Sequence, residues 1–164
     1  MTVRSIHVLP EPILRRKSKK VAKIDEYVQR LIDDMIETMR AASGVGLAAP
    51  QIGVSLRIAV IEMPGANEVI VLINPEIIKK QGERLVHEGC LSVPGYQGEI
   101  ERSVWVKVKA QDRHGRSIRL KGEELLAQAL EHEIDHLNGV LYIDRVDGSD
   151  KLWKLTSETG HGGL

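Results

Sequence analysis

EELLAQALEHEIDHLN, residues 123–138, is the stretch that decides the fold of this 164-residue chain. Leucine, alanine and isoleucine occupy most of its circumference, so we predict a helix that is largely buried. His132 to His136 reads H-E-x-x-H, and positions four apart on a helix lie on one face, one turn apart. Two imidazoles so placed can hold one metal ion, and Glu133 between them can reach a water molecule there. Two surface histidines are the alternative, but a buried imidazole needs a partner.

A third metal ligand has to come from elsewhere in the chain. A catalytic metal usually takes three protein ligands and keeps one position open. In the extended motif of some zinc proteases a histidine follows downstream, but Tyr142 occupies that position here. The only cysteine, Cys90, lies in EGCLS, residues 88–92, which we interpret as an exposed turn. His87 is the competing ligand. In an extended segment the two side chains point to opposite faces, and we favour Cys90 over His87. The other interpretation of Cys90 is a small core residue.

The preceding sequence predicts strands and one further helix. Residues 25–42 carry apolar side chains at helical spacing, which predicts an amphipathic helix with Asp25 as N-cap and Gly44 near its end. The glycine-rich stretch 44–53 is interpreted as a close-packed loop. Strands are predicted at 57–63, 69–73, 104–111, 117–120 and 140–143. Strands that come before the decisive helix favour an α+β fold.

Composition limits the class of protein. The length fits one domain, residues 1–164, with a polar, frayed tail over about 147–164. Basic and acidic residues number 23 each, and this balance argues against a nucleic-acid or membrane-surface binder. The basic cluster from Arg15 to Lys20 is interpreted as a solvated segment. One cysteine and no long apolar run indicate a cytoplasmic protein, with an organelle as the alternative.

Three segments together resemble the peptide deformylase family: GVGLAAPQ at 44–51, EGCLS at 88–92 and HEIDH at 132–136. The resemblance continues through INP at 73–75 and LNGVL at 137–141, and covers roughly residues 5–146. It implies an α+β fold whose central H-E-x-x-H helix is surrounded by mostly antiparallel sheets. It also implies a hydrolase that removes the formyl group from formyl-methionyl nascent polypeptides.

The same resemblance implies a set of site residues. One divalent metal ion would be held by Cys90, His132 and His136, with Glu133 as general base. The family resemblance favours Fe²⁺, whereas thiolate and imidazole ligands by themselves suit Zn²⁺. The Gln51 side-chain amide and the Leu91 backbone N–H would stabilise the oxyanion. The remaining implied residues bind substrate: the backbone of Gly46, and a methionine pocket formed by Val45, Val86, Leu125 and Ala129.

Two rival functions stay open at this point. A general zincin-type metallopeptidase would use the same helix but predicts a downstream ligand. A non-catalytic module with a structural metal predicts four protein ligands. The implied substrate brings the protein transiently near the ribosome, although the short tail does not support docking through it. Whether Glu88 and Arg102 pair is also left open.

Overall fold

The computed structural model describes residues 2–155 and contains two α-helices and eight β-strands in that part of the chain. The helices are α1, Glu26–Ala41, and α2, Glu124–Leu137. The strands are β1 Gly46–Ala48, β2 Ile58–Ile61, β3 Ile70–Gln81, β4 Arg84–Cys90, β5 Val93–Arg102, β6 Trp105–Gln111, β7 Ser117–Glu123 and β8 Leu152–Lys154. Short 3-10 helices lie at Pro12–Arg15, Ala49–Ile52, Tyr142–Arg145 and Ser149–Lys151.

The strands form two sheets in which neighbours pair antiparallel. One sheet has five strands in the order β1-β2-β3-β6-β7, and the other has three in the order β4-β5-β8. The predicted α+β class, with two helices and antiparallel sheets, is confirmed. No helix among residues 2–155 combines the length and the apolar character that crossing a membrane requires.

The two helices pack on opposite faces of the five-stranded sheet, with α1 lying at its β1–β2 end. Alternate residues of a strand point to opposite faces. Accordingly, Val60 packs in a cluster with Met35 of α1, whereas its neighbour Ile61 packs in a cluster with Leu130 of α2. Helix α2 is therefore enclosed by this sheet on one side, and the β4–β5 hairpin reaches its other side through Arg102.

Helix α1 follows its sequence pattern closely. The Asp25 side chain accepts a hydrogen bond from the Val28 backbone N–H at 3.0 Å, as expected of an N-cap. At the other end Ser43, with φ of 56°, takes the left-handed position rather than Gly44. One face is fully buried, and it carries Leu31, Ile32, Met35 and Met39.

Two predicted segments differ in the structure. The predicted loop at 44–53 contains strand β1, which pairs with β2, and a 3-10 helix. The predicted strand at 140–143 is wrong. Leu141 and Tyr142 are buried, and the Asp144 carboxylate accepts the Leu141 N–H at 2.9 Å, which closes a 3-10 helix instead. The apolar side chains are buried by that turn, so their run did not require a strand.

The tail also differs from its prediction over the part that the structure describes. Strand β8 pairs with β5 in the register Tyr96 with Lys154 and Gly98 with Leu152. This pairing gives the backbone of residues 152–154 hydrogen-bond partners, so this part is not frayed. Residues 156–164, for which a frayed tail was also predicted, lie outside the described residues.

Candidate active site

Helix α2 and strand β4 bring a thiol and two imidazoles together. His132 and His136 are both buried, and their rings meet edge to face with centroids 4.8 Å apart. The Cys90 Sγ lies 3.2 Å from His136 Nε2, and one ligand atom from each of the three residues lies within 4.8 Å of the others. The sequence-predicted ligand set therefore converges in space.

Cys90 is buried rather than exposed, which corrects the prediction of an exposed turn. It ends β4, and a bulge between Glu88 and Cys90 changes the pairing with β5 there. Bulges of this kind re-aim side chains. His87, the rival ligand, points to solvent with 60% of its side chain exposed. The two residues thus diverge, as expected for an extended segment.

Buried polar atoms without partners, in and beside this cluster, indicate whether a cation fits there. His132 Nε2 and both Glu133 carboxylate oxygens are buried without a hydrogen-bond partner in the described structure. Buried polar atoms normally have partners. Thiolate and imidazole are ligands for Zn²⁺ and Fe²⁺. The residues present therefore fit a divalent metal ion.

Behind His132 lies a buried ion pair whose existence the sequence left open. Glu88 Oε2 lies 2.6 Å from His132 Nδ1, and Arg102 donates to both Glu88 oxygens at 2.9 and 2.6 Å. Burial opposes the charge on Glu88, but the charges of His132 and Arg102 lower its pKa to about 2. An ionised carboxylate at Nδ1 fixes the orientation of the imidazole and leaves Nε2 for the cation.

The same arginine extends the pairing to a residue that sequence reasoning missed. Asp135, inside the H-E-x-x-H motif, accepts a hydrogen bond from Arg102 at 2.8 Å and from Arg145 at 2.7 and 2.8 Å. The sequence signal for this residue was a charged side chain at an unspecified position of the motif, on a helix predicted to be buried. Asp135 thereby anchors the motif to β5 and to the 3-10 helix that follows.

Glu133 is fully buried, and burial raises its pKa to about 7. Its carboxylate lies against the backbone of Gly46, where an added Cβ would overlap it. A carboxyl group with a pKa near neutrality can both accept and deliver a proton at neutral pH. The close approach explains why a residue without a side chain stands at position 46.

Gln51 lies at the same cluster. Its Nε2 is 3.7 Å from the Cys90 Sγ and 3.0 Å from Ser92 Oγ, while its Oε1 accepts from the Ala48 N–H at 3.0 Å. The amide nitrogen therefore points toward the Cys-His-His cluster. Ser92, not singled out from the sequence, also donates its backbone N–H to Cys90 Sγ at 3.4 Å. Leu91 lies between them in the chain, so its backbone borders the site.

The four predicted methionine-pocket residues are distributed over two apolar clusters and the surface. Val45 and Ala129 belong to the cluster of α2 and the five-stranded sheet. Val86 belongs to the cluster that contains Cys90. Leu125, one turn before Ala129, is 37% exposed. Their role as a pocket remains a prediction.

An α+β fold with a buried Cys-His-His cluster and a buried carboxylate on one helix is that of a metal-dependent hydrolase. The family model described as polypeptide deformylase matches residues 3–152. A peptide deformylase from Dehalococcoides mccartyi is 57% identical over 155 residues, which are 94% of this chain and 93% of the relative. The chain belongs to the polypeptide deformylase family.

Solved structures agree with this assignment. A peptide deformylase from Legionella pneumophila is 50% identical, with a TM-score of 0.87 over 89% of this chain and 87% of that one. One from Thermotoga maritima is 44% identical, with a TM-score of 0.86 over 90% of this chain and 100% of that one. The recognition from three sequence segments is confirmed, and the chain is a hydrolase of this family.

Proposed function

We propose that this chain removes the N-terminal formyl group from formyl-methionyl nascent polypeptides, with a metal ion at Cys90, His132 and His136. Membership of the polypeptide deformylase family supports the reaction. The convergence of the three ligand side chains beside the unpaired Glu133 carboxylate is the observation that carries the site assignment. Within residues 2–155 three protein ligands converge rather than four, which favours an open, catalytic site over a structural one.

The three ligands would hold one divalent ion, which we propose to be Fe²⁺, with Zn²⁺ as the alternative. Such an ion polarises a carbonyl oxygen and lowers the pKa of water. The Ser92 N–H and the Gln51 amide are both directed at the Cys90 Sγ, at 3.4 and 3.7 Å, and hold it in place beside the two imidazoles. The Glu88 carboxylate holds the Nδ1 side of His132.

Glu133 acts as the general base and acid. Its carboxylate takes a proton from the attacking water and delivers one to the amine that leaves when the formamide C–N bond breaks. Both oxygens are free of other hydrogen bonds in the described structure, so neither has to be released first. The products are formate and a peptide with a free amino terminus.

The developing oxyanion on the formyl group is stabilised by the Gln51 amide and the Leu91 backbone N–H. Gln51 is fully buried and its Oε1 is held by the Ala48 N–H, so its Nε2 is fixed in direction. Of its two contacts, the long one to the Cys90 Sγ, at 3.7 Å, is the one that would be exchanged for the oxyanion, and a donor of this kind contributes about 3 kcal/mol.

The substrate backbone pairs with β1 at Gly46, in the manner of strand addition. Strand β1 lies at the edge of the five-stranded sheet, which leaves its outer side available for pairing. Val45, Val86, Leu125 and Ala129 form the apolar pocket for the methionine side chain. Nascent polypeptides as substrates place the protein transiently near ribosomes, in the cytoplasm.

Replacing Cys90 tests the site and the function together. We expect the Cys90→Ala protein, purified anaerobically, to lose most of its bound metal, because only two of the three proposed ligands are left. Formate release from formyl-Met-Ala should fall in parallel. Leu85→Ala, a change at an exposed residue of the same strand, is the control and should keep both. Stoichiometric metal in Cys90→Ala would reject Cys90 as a ligand. Cleavage of an unformylated internal peptide by the wild-type protein would support a general peptidase instead.

A further inference from the structure

The outer side of the five-stranded sheet carries a row of lysines on three neighbouring strands. Lys107 of β6 pairs in register with Lys79 of β3 on one side and with Lys121 of β7 on the other. All three are exposed. The next residue of β6 on the same face, Lys109, continues the pattern, since it lies opposite Arg119. We call these five residues the lysine row.

Like charges directly opposite each other on a sheet destabilise it. Two of the five are offset by carboxylates, with Lys109 3.2 Å from Glu76 and Lys121 3.4 Å from Glu123. Both carboxylates are at least half exposed, so these pairs are weak. The zero net charge of the chain therefore conceals a concentrated positive surface, whereas the composition alone predicted no nucleic-acid binding.

An aromatic ring lies at the end of the lysine row. Trp105 is partly exposed, and the ammonium groups of Lys79, Lys107 and Lys121 lie 5.8, 5.8 and 4.6 Å from its ring centroid. An indole ring surrounded by cations on an exposed sheet face offers a ligand two kinds of contact. The lysines attract phosphates, and the ring offers a surface on which a base can stack.

The lysine row lies on the opposite face of the sheet from α2. Val106 and Val108, which flank Lys107 along β6, point to the other face and belong to the cluster that contains Leu130 of α2. The helix that carries His132 and His136 is thus separated from the lysine row by the sheet. A partner bound there leaves the active site accessible.

We propose that the lysine row and Trp105 bind single-stranded RNA, with lysine and arginine side chains on the phosphates and the indole against a base. An anionic membrane is the competing polyanion, but membrane-surface binding draws on several exposed apolar side chains. The five residues of the lysine row are all charged, and they border a single aromatic ring. A basic surface with one stacking platform matches a flexible nucleic-acid strand better than a lipid surface.

The test uses the metal-loaded protein and a labelled oligouridylate of ~12 nucleotides, with binding followed by fluorescence anisotropy. We expect binding that weakens steeply between about 50 and 200 mM salt. The double variant Lys79→Glu/Lys107→Glu should bind about tenfold more weakly and with a shallower salt dependence. Trp105→Leu should also lose about tenfold, because a stacking contact is removed.

The matched control is Lys17→Glu/Lys20→Glu, which makes the same charge change at two exposed lysines outside the sheet. It should bind RNA within about twofold of the wild-type protein. Formate release of all variants, expected at the wild-type level, reports that they are folded. An equal loss of affinity in both double variants, or no binding of the wild-type protein at about 50 mM salt, would overturn the proposal. Tighter binding to phosphatidylserine vesicles than to RNA would overturn the assignment of the partner.

Discussion

Helices α1 and α2 are of similar length but bury different kinds of side chain. The buried face of α1 is mainly apolar, around Met35, with Asp34 and Thr38 as its two buried polar residues. Helix α2 buries apolar residues as well, but also six polar or charged ones: Gln128, Glu131, His132, Glu133, Asp135 and His136. One helix therefore stabilises the fold mainly by removing apolar surface from water, and the other carries the residues that we propose for the chemistry.

The buried polar groups of α2 differ among themselves in whether they have hydrogen-bond partners. Glu131 accepts the Ser103 N–H at 2.7 Å, and Asp135 is paired with two arginines. Glu133 has no such partner in the described structure. Since a buried charge without a partner is costly, its position next to the Cys-His-His cluster is the physical mark of a functional site.

Glu133→Gln should have the largest effect, on the reaction rate. The amide keeps the shape of the side chain but cannot act as a base, so we expect kcat to fall at least about a thousandfold with metal content unchanged. The measurement is formate release from formyl-Met-Ala by metal-replete protein. Glu124→Gln, at an exposed glutamate of the same helix, is the control and should keep full activity. Near-normal turnover of Glu133→Gln would remove Glu133 from the mechanism.

Arg102→Met should have the next largest effect, on stability. The substitution leaves the buried carboxylates of Glu88 and Asp135 without their shared partner, and breaking a buried pair in this way costs about 4 kcal/mol. Urea unfolding measures this loss. A loss below about 1 kcal/mol would mean that α2 does not depend on its charge pairing.

Met35→Ala tests the apolar helix. The side chain is fully buried between α1 and the five-stranded sheet, so we expect the free energy of unfolding to fall by about 3 kcal/mol. The kcat of the folded fraction should stay at the wild-type value, because Met35 belongs to a cluster that excludes the metal-ligand residues. A large decrease in kcat without a loss of stability would contradict the division of roles between the helices.

The smallest effect is expected at the surface of α1. Arg30 and Glu26 form an ion pair at 3.4 Å, with 66% and 86% of their side chains exposed. Such pairs contribute about 0.3 to 0.5 kcal/mol, so Arg30→Ala should shift the urea midpoint only slightly. A shift comparable to that of Arg102→Met would show that burial does not set the strength of these pairs.

The sequence predicted those parts of the fold that depend on local pattern. The apolar spacing of α1 and its Asp25 cap are local, and the structure has both. The three segments identified the family. The β4–β5 hairpin was not predicted, because its residues do not alternate clearly and its register depends on the bulge before Cys90.

The contacts that support the proposed metal ligands could not be predicted in full, because they join distant segments. Glu88 and Arg102 are 14 residues apart and meet only through the hairpin, whereas Asp135 meets Arg102 across 33 residues. The burial of Cys90 likewise depends on packing between β4 and α2, which no local pattern encodes. Residue types indicated the ligands, but only the fold shows what holds them.

The contact between Gly46 and Glu133 restricts how this chain can change. Any side chain at position 46 overlaps the carboxylate. The N–H and C=O of the edge strand, in contrast, are the same for every amino acid except proline, which lacks the N–H. A compound that pairs with this backbone would therefore be bound through atoms that point mutation does not alter. A substitution at position 46 that weakened the binding of such a compound would also displace Glu133. We therefore expect a resistant variant of this kind to lose activity as well.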